Sequence, residues 1–172
     1  MKIERKFTTE GQDAYAGIDF TTTTSEIRNP DGTIVFKLDN VEVPADWSQV
    51  ASDVIAQKYF RKAGVPSILR RVEEPDVPTF LWRAEAAEGA EIEGETSAKQ
   101  VFDRLAGAWA YWGWKGGYFS TEDDAEAYFD EMRYMLASQM AAPNSPQWFN
   151  TGLHWAYAVS YTHLTLSTTP YV

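Results

Sequence analysis

Three stretches of the chain repeat their apolar residues at helical spacing, and each is bounded by polar residues suited to helix ends. From Asp46, a good N-cap, the residues Trp47, Val50, Ala51, Val54, Ile55 and Tyr59 recur at intervals close to 3.6 and predict a first helix. Lys58, Arg61 and Lys62 cluster at its end, where cations suit the helix dipole, and Gly64 and Pro66 supply the stop. A second helix begins at Thr96 or Ser97, presents Val101, Phe102, Leu105, Trp109 and Trp112 on one face, and ends at Gly113, Gly116 and Gly117. A third is capped by Ser120 or Thr121. Its first turn holds Glu122, Asp123 and Asp124, and its apolar stripe is Ala125, Tyr128, Phe129, Met132, Leu136 and Met140.

Shorter periods precede these helices. Asn29-Pro30-Asp31-Gly32 is a turn signal, and the β-branched and aromatic run from Thr33 to Leu38 reads as a strand. Asp39-Asn40 is expected to turn that strand back onto Val41-Glu42-Val43. Residues 1–25 read as an exposed arm with at most one short strand. Residues 71–95, interrupted by Pro75 and Pro78, read as an acidic surface connector pinned by Phe80, Leu81 and Trp82. Its carboxylates, Glu95 among them, are crowded with like charges and lack a nearby histidine. They read as solvated rather than as an acid–base pair. The expected fold is α+β: a helix-dominated domain with a short β-hairpin or strand region.

Composition narrows the function classes. Apolar residues at 44% and aromatics at 15% of 172 residues are enough for a packed core. A net charge of −10 argues against a protein whose main partner is a nucleic-acid polymer, while one nucleotide needs only a local site. No apolar run approaches the roughly 20 residues that span a bilayer, and no signal-peptide core follows Met1, so the expected compartment is the cytoplasm, with no membrane partner. There is no cysteine, which removes disulfides, thiolate metal sites and thiol nucleophiles together.

The candidate for chemistry is Pro143-Asn144-Ser145-Pro146-Gln147-Trp148-Phe149-Asn150-Thr151-Gly152, followed by Leu153-His154-Trp155-Ala156-Tyr157. Two prolines bracket Asn144 and Ser145 and predict a helix stop with a stiffened, extended or turning backbone. Such a loop can aim a serine hydroxyl and backbone N–H groups at a phosphate oxygen; equally, it reads as ordinary helix-to-loop punctuation packed by Trp148 and Phe149. Lys115 among Gly113, Gly116 and Gly117 lacks the order of a P-loop and reads as a glycine-terminated helix and tight turn burying aromatics. The Lys58, Arg61 and Lys62 cluster reads as a solvated helix end. His154, with no second ligand nearby in sequence, reads as a packed or hydrogen-bonded ring.

The segment from Pro143 to Tyr157 resembles the entry to the catalytic barrel of adenosylcobalamin-dependent (class II) ribonucleotide reductases. Thr24-Ser25-Glu26-Ile27-Arg28-Asn29-Pro30-Asp31-Gly32, Gln57-Lys58-Tyr59-Phe60-Arg61-Lys62-Ala63-Gly64-Val65-Pro66 and Tyr111-Trp112-Gly113-Trp114-Lys115-Gly116-Gly117-Tyr118-Phe119 also resemble that family's amino-terminal region. The resemblance covers residues 1–157 and implies a domain that ends at the entry to an α/β barrel absent here. It implies a parent ribonucleoside-diphosphate reductase that makes deoxyribonucleotides for DNA synthesis. The parent would use adenosylcobalamin, with a thioredoxin-like reductant and a homodimer as expected partners. Diphosphates and triphosphates stay open as substrates. By the same resemblance Ser145 contacts the ribonucleotide substrate. The cysteines on which such enzymes are expected to run are missing from this chain, so it is expected to be inactive alone. Residues 158–172 depart from the family pattern and resemble translated sequencing-adaptor sequence, so His163 is given no role. The rival expectation is a non-catalytic, acidic helical interaction module.

Overall fold

The computed structural model of the protein describes residues 1–159, so the reading of the tail and of His163 falls outside the described residues, apart from Ala158 and Val159. Its first element is a hairpin of β1 (Phe20–Arg28) and β2 (Ile34–Pro44). The turn forms where Asn29-Pro30-Asp31-Gly32 predicts it. Gly32 has φ 88° and donates its N–H to the Asn29 carbonyl at 2.9 Å, and the Asp31 carboxylate accepts the Thr33 N–H at 2.9 Å. Two expectations are corrected here. The threonine run is a nine-residue strand rather than arm, and the chain does not reverse at Asp39-Asn40. Thr23 faces Val41 and Ser25 faces Leu38, so Asp39 and Asn40 together oppose Thr24 as a β-bulge, with Asn40 at φ 57°. Thr24 donates its hydroxyl to Asp39 at 2.9 Å across the bulge. Turn-forming residues here bend a strand rather than end it.

The first helix also starts differently. Trp47 N–H bonds the Pro44 carbonyl at 3.1 Å, closing a turn over Asp46, and Ser48 becomes the cap of α1 (Gln49–Val54) by accepting the Ala51 N–H at 3.2 Å. A π-helical turn, Ile55–Tyr59, continues it. The wider turn rotates the inward face, so Ser52, Ile55, Ala56 and Phe60 are buried while Val50 and Val54 are exposed. Lys62 donates to the Ala56 carbonyl and lies over the Phe36 ring, and Arg61 bonds the Ala63 carbonyl, so these two of the basic cluster are spent locally on the helix end, while Lys58 is exposed.

The long helices are α2 (Ala98–Lys115) and α3 (Glu122–Ala137), each opened by a capping box, Ser97 with Gln100 and Thr121 with Asp124. α2 is buried on more than one face. Val101, Phe102 and Leu105 join Val41, Val43, Ile55 and Leu136 in one core cluster, and Ala106, Ala108 and Ala110 join Leu81, Phe129, Leu153 and Trp155 in another. The predicted stripe captured the first cluster alone, because small residues carry the second. Gly107 is where the Trp155 ring lies, and any Cβ there would collide with it. At the far end Trp112 remains 53% exposed and Tyr118 65%, so the glycine-rich turn buries fewer aromatics than expected. Met140 lies beyond α3 and is exposed.

The amino-terminal arm is not loose. Carboxylates of α3 receive its backbone: Asp124 accepts the Ile3 N–H at 2.8 Å, and Glu131 accepts those of Phe7 at 3.1 Å and Thr8 at 2.8 Å. Arg5 pairs with Asp130 at 2.5 Å, and the Met1 ammonium bonds the Tyr118 carbonyl at 2.6 Å. The connector carries two short ladders, β3 (Val65–Pro66) with β6 (Ile92–Glu93) and β4 (Leu69–Arg71) with β5 (Ala84–Ala86). As expected, Leu81 anchors it in the core, from a 3-10 turn at Thr79–Leu81. No helix of the described residues is long and apolar enough to cross a membrane.

Candidate functional site

Two short helices follow α3. They are α4 (Ser145–Asn150) and α5 (Leu153–Tyr157). The stop at Pro143 is observed, but Pro146 does not keep the backbone extended. It sits in the first turn of α4, where its missing N–H costs nothing, and Asn144 takes the extended N-cap conformation. Ser145 is therefore the first residue of a helix, with an exposed side chain. Its Oγ lies 3.0 Å from the Tyr59 hydroxyl, and either can donate. The Tyr59 ring stacks on Trp148 at 5.5 Å with an interplanar angle of 18°, and Phe149 tilts against it at 5.8 Å. Two hydroxyls thus sit together at the surface, the tyrosine ring fixed between its neighbours.

What holds this loop is Arg104, in the middle of α2 and fully buried. It donates Nη2 to the Trp148 carbonyl at 2.7 Å and to the Tyr59 carbonyl at 3.2 Å, and Nη1 to the Thr151 carbonyl at 2.9 Å. These oxygens lie at the carboxyl ends of two helical segments, where carbonyls lack helical partners and the dipole favours a cation. Glu95 neutralises the guanidinium through Nε at 2.7 Å, also accepts the Arg61 N–H at 2.7 Å, and accepts the Tyr157 hydroxyl at 2.9 Å. Burial, then the neighbouring Glu95 carboxylate, push the Tyr157 phenol far above its ordinary range, so it stays a donor. The solvated reading of Glu95 is corrected: both partners of this ion pair are inaccessible to solvent. Gly152 completes the joint. It has φ 83°, and a Cβ there would land on the Arg104 carbonyl, so only glycine brings the loop this close to α2.

The other candidates disperse. Lys115 Nζ pairs with Glu74 at 2.8 Å, and Tyr111 donates to the same carboxylate at 2.9 Å, so the lysine is a connector anchor. His154 is exposed rather than packed, on the outward face of α5. Among the described residues no group of three His, Cys, Asp or Glu side chains could hold a metal ion. The element that sequence reasoning missed is Arg104. Its signal was a guanidinium three residues after Val101 and four before Ala108, on a helix otherwise lined there with apolar groups.

The described residues build a helix-dominated α+β domain that presents an uncharged hydroxyl-and-aromatic loop on a buried ionic clamp. The chain belongs to the family described as class II vitamin B12-dependent ribonucleotide reductase, whose profile matches residues 21–139. Curated relatives carry the name vitamin B12-dependent ribonucleotide reductase. One from Bradyrhizobium diazoefficiens is 68% identical over 167 residues, and one from Agrobacterium fabrum is 64% identical over 167 residues; each match covers 92% of this chain. A relative from Rhodopirellula baltica is 31% identical over 160 residues. The chain spans 13% of the length of these relatives.

Proposed function

We propose that the chain is the amino-terminal region of an adenosylcobalamin-dependent ribonucleotide reductase of the cytoplasm, and that Ser145 donates its hydroxyl to a phosphate of the ribonucleotide substrate. The observation that supports this reading is the exposed Ser145–Tyr59 hydroxyl pair, carried on backbone that Arg104 pins at three carbonyls. A neutral donor on fixed backbone binds an oxyanion with little ordering cost. The parent enzyme would hold the cobalamin and the thiols elsewhere in its length, take electrons from a thioredoxin-like protein and assemble as a homodimer. The cofactor would supply the radical chemistry, and residues 143–152 would position the nucleotide. Residues 158–172 would contribute nothing to either task.

The test is Ser145→Ala in the complete parent reductase, with nucleotide affinity and denaturation midpoint both measured. Loss of one charge-assisted hydrogen bond, worth about 1.5–3 kcal/mol, predicts roughly ten- to a hundredfold weaker substrate binding. Ser145 is exposed and is not the N-cap of α4, so stability should change by no more than about 0.5 kcal/mol. Unchanged affinity would remove Ser145 from the site.

A further inference from the structure

Arg104 also lines a cavity of 460 Å³ between the β4–β5 ladder, α2, α3 and α5. In a chain of net charge −10 with 15 lysines and arginines, its lining includes Arg70, Arg71, Arg104 and Arg133 but a single carboxylate, Asp103. Several of these charges are already neutralised: Arg70 pairs with Glu85, Arg104 with Glu95, and Arg133 with Asp130 and Asp103. Arg71 is different. Among the described residues no carboxylate lies at ion-pair distance from it, and Asp103 of the same lining attracts it only at longer range; it donates Nη1 to the Trp82 carbonyl at 2.6 Å, and its guanidinium rests on the Trp155 ring at 5.4 Å.

The donors of this cavity are not all used. Arg71 keeps N–H groups beyond the one given to Trp82. Arg133 gives one N–H of Nη2 to Asp130 at 2.6 Å and one of Nη1 to Asp103 at 3.5 Å, and keeps the second N–H of each nitrogen. Gln100 spends its carbonyl oxygen on the Thr96 and Ser97 N–H groups, while its amide N–H₂ has no partner among the described residues. Aromatic walls stand beside them. Trp155 and Phe129 meet edge to face at 6.3 Å, Arg133 covers the Phe129 ring at 4.1 Å, and Phe80 stacks beside Phe129. Unspent N–H donors, one of them on an unpaired guanidinium, call for an oxyanion, since an arginine fork matches phosphate or carboxylate oxygens. Trp155, Phe129 and Phe80 offer apolar edges rather than free faces to the lining, which suits a thin apolar ring attached to the anion, and the volume suits a small organic molecule.

We propose that this cavity is a second binding site, separate from the loop of Ser145, for a planar aromatic compound that carries a phosphate-type oxyanion. The anion is held by Arg71, Arg133 and Gln100, and the ring lies against Trp155 and Phe129. The inference does not depend on the role given to Ser145.

The test uses the 172-residue chain with phenyl phosphate as probe and inorganic phosphate and phenol as its two halves. Calorimetry should show one phenyl phosphate bound per chain at least tenfold more tightly than inorganic phosphate, with no measurable binding of phenol. The NMR signals of the Trp155 indole N–H and the Arg71 Nε–H should shift on binding. Arg71→Gln should weaken phenyl phosphate roughly ten- to a hundredfold, as expected for loss of charge-assisted hydrogen bonds. Arg28→Gln, on the exposed hairpin, should leave binding unchanged. Circular dichroism establishes that the variants fold. If Arg71→Gln does not, the two wild-type signals decide: binding that leaves them in place overturns the site. No phenyl phosphate binding at millimolar concentration, or binding indifferent to Arg71, overturns it as well.

Discussion

Arg104 settles how the candidate loop is positioned, because three carbonyls from two separate segments end on one side chain. A buried ion pair of this kind stabilises little relative to an apolar pair, but removing one partner strands the other. Arg104→Met should therefore cost about 3–5 kcal/mol in denaturant unfolding, with Glu95 left as an uncompensated buried carboxylate and the Trp148 and Thr151 carbonyls bare. Amide exchange in residues 148–152 should quicken beyond what global destabilisation explains. A loss under about 1 kcal/mol would show that the clamp is incidental. This residue-scale organisation was poorly legible in the sequence. Glu95 stands at the end of an acidic run and reads like its neighbours, and nothing local tells that its partner lies nine residues on, inside a helix. The helix stop ahead of Ser145 was legible because proline and asparagine mark it, but Tyr59, the neighbour of that serine, is 86 residues away and could not be paired with it from spacing.

Among the elements, those with local causes were read well and those with remote causes were not. The Asn29 to Gly32 turn, the caps of α2 and α3 and the acidic first turn of α3 each follow from residues a few positions apart. The arm was misread because its partners are carboxylates of α3, more than a hundred residues later. That docking carries a pH signature. Hydrogen bonds from the Ile3 N–H and the Thr121 hydroxyl hold Asp124 below the ordinary aspartate value of 3.8. Burial alone would raise Glu131, yet the Thr8 hydroxyl and the Phe7 and Thr8 N–H groups hold it below 4.5. Both pKa values are depressed in the folded state. The stability they lend is thus complete above the unfolded-state values and is lost as pH falls through the lower folded ones. In an NMR titration the Ile3 amide should move with a midpoint below pH 3.8, and those of Phe7 and Thr8 with midpoints below 4.5. Midpoints of all three at or above those values would mean that the arm is not held by these carboxylates.

Over the whole molecule, a net charge of −10 coexists with charges of both signs in the interior: Glu95, Asp124, Asp130 and Glu131 are buried, as is Arg104, and Arg133 is partly buried. The charge balance excluded a nucleic-acid polymer as main partner but could not show these interior sites, since composition counts charges without placing them. The family is one of reductases, and the proposed chemistry needs a thiol to relay a radical to the sugar and a thiol pair to reduce it. The chain has no cysteine at any position. No other side chain here substitutes, since hydroxyls and phenols that are buried or hydrogen-bonded, such as Tyr157 and Tyr59, do not supply a reducing dithiol. The purified 172-residue chain, given adenosylcobalamin, a dithiol and each ribonucleotide in turn, should therefore form no deoxyribonucleotide. The same assay on the complete parent reductase should give product, so that a blank from the chain cannot be blamed on conditions. Cofactor-dependent product from the chain alone would break the link between missing thiols and missing activity.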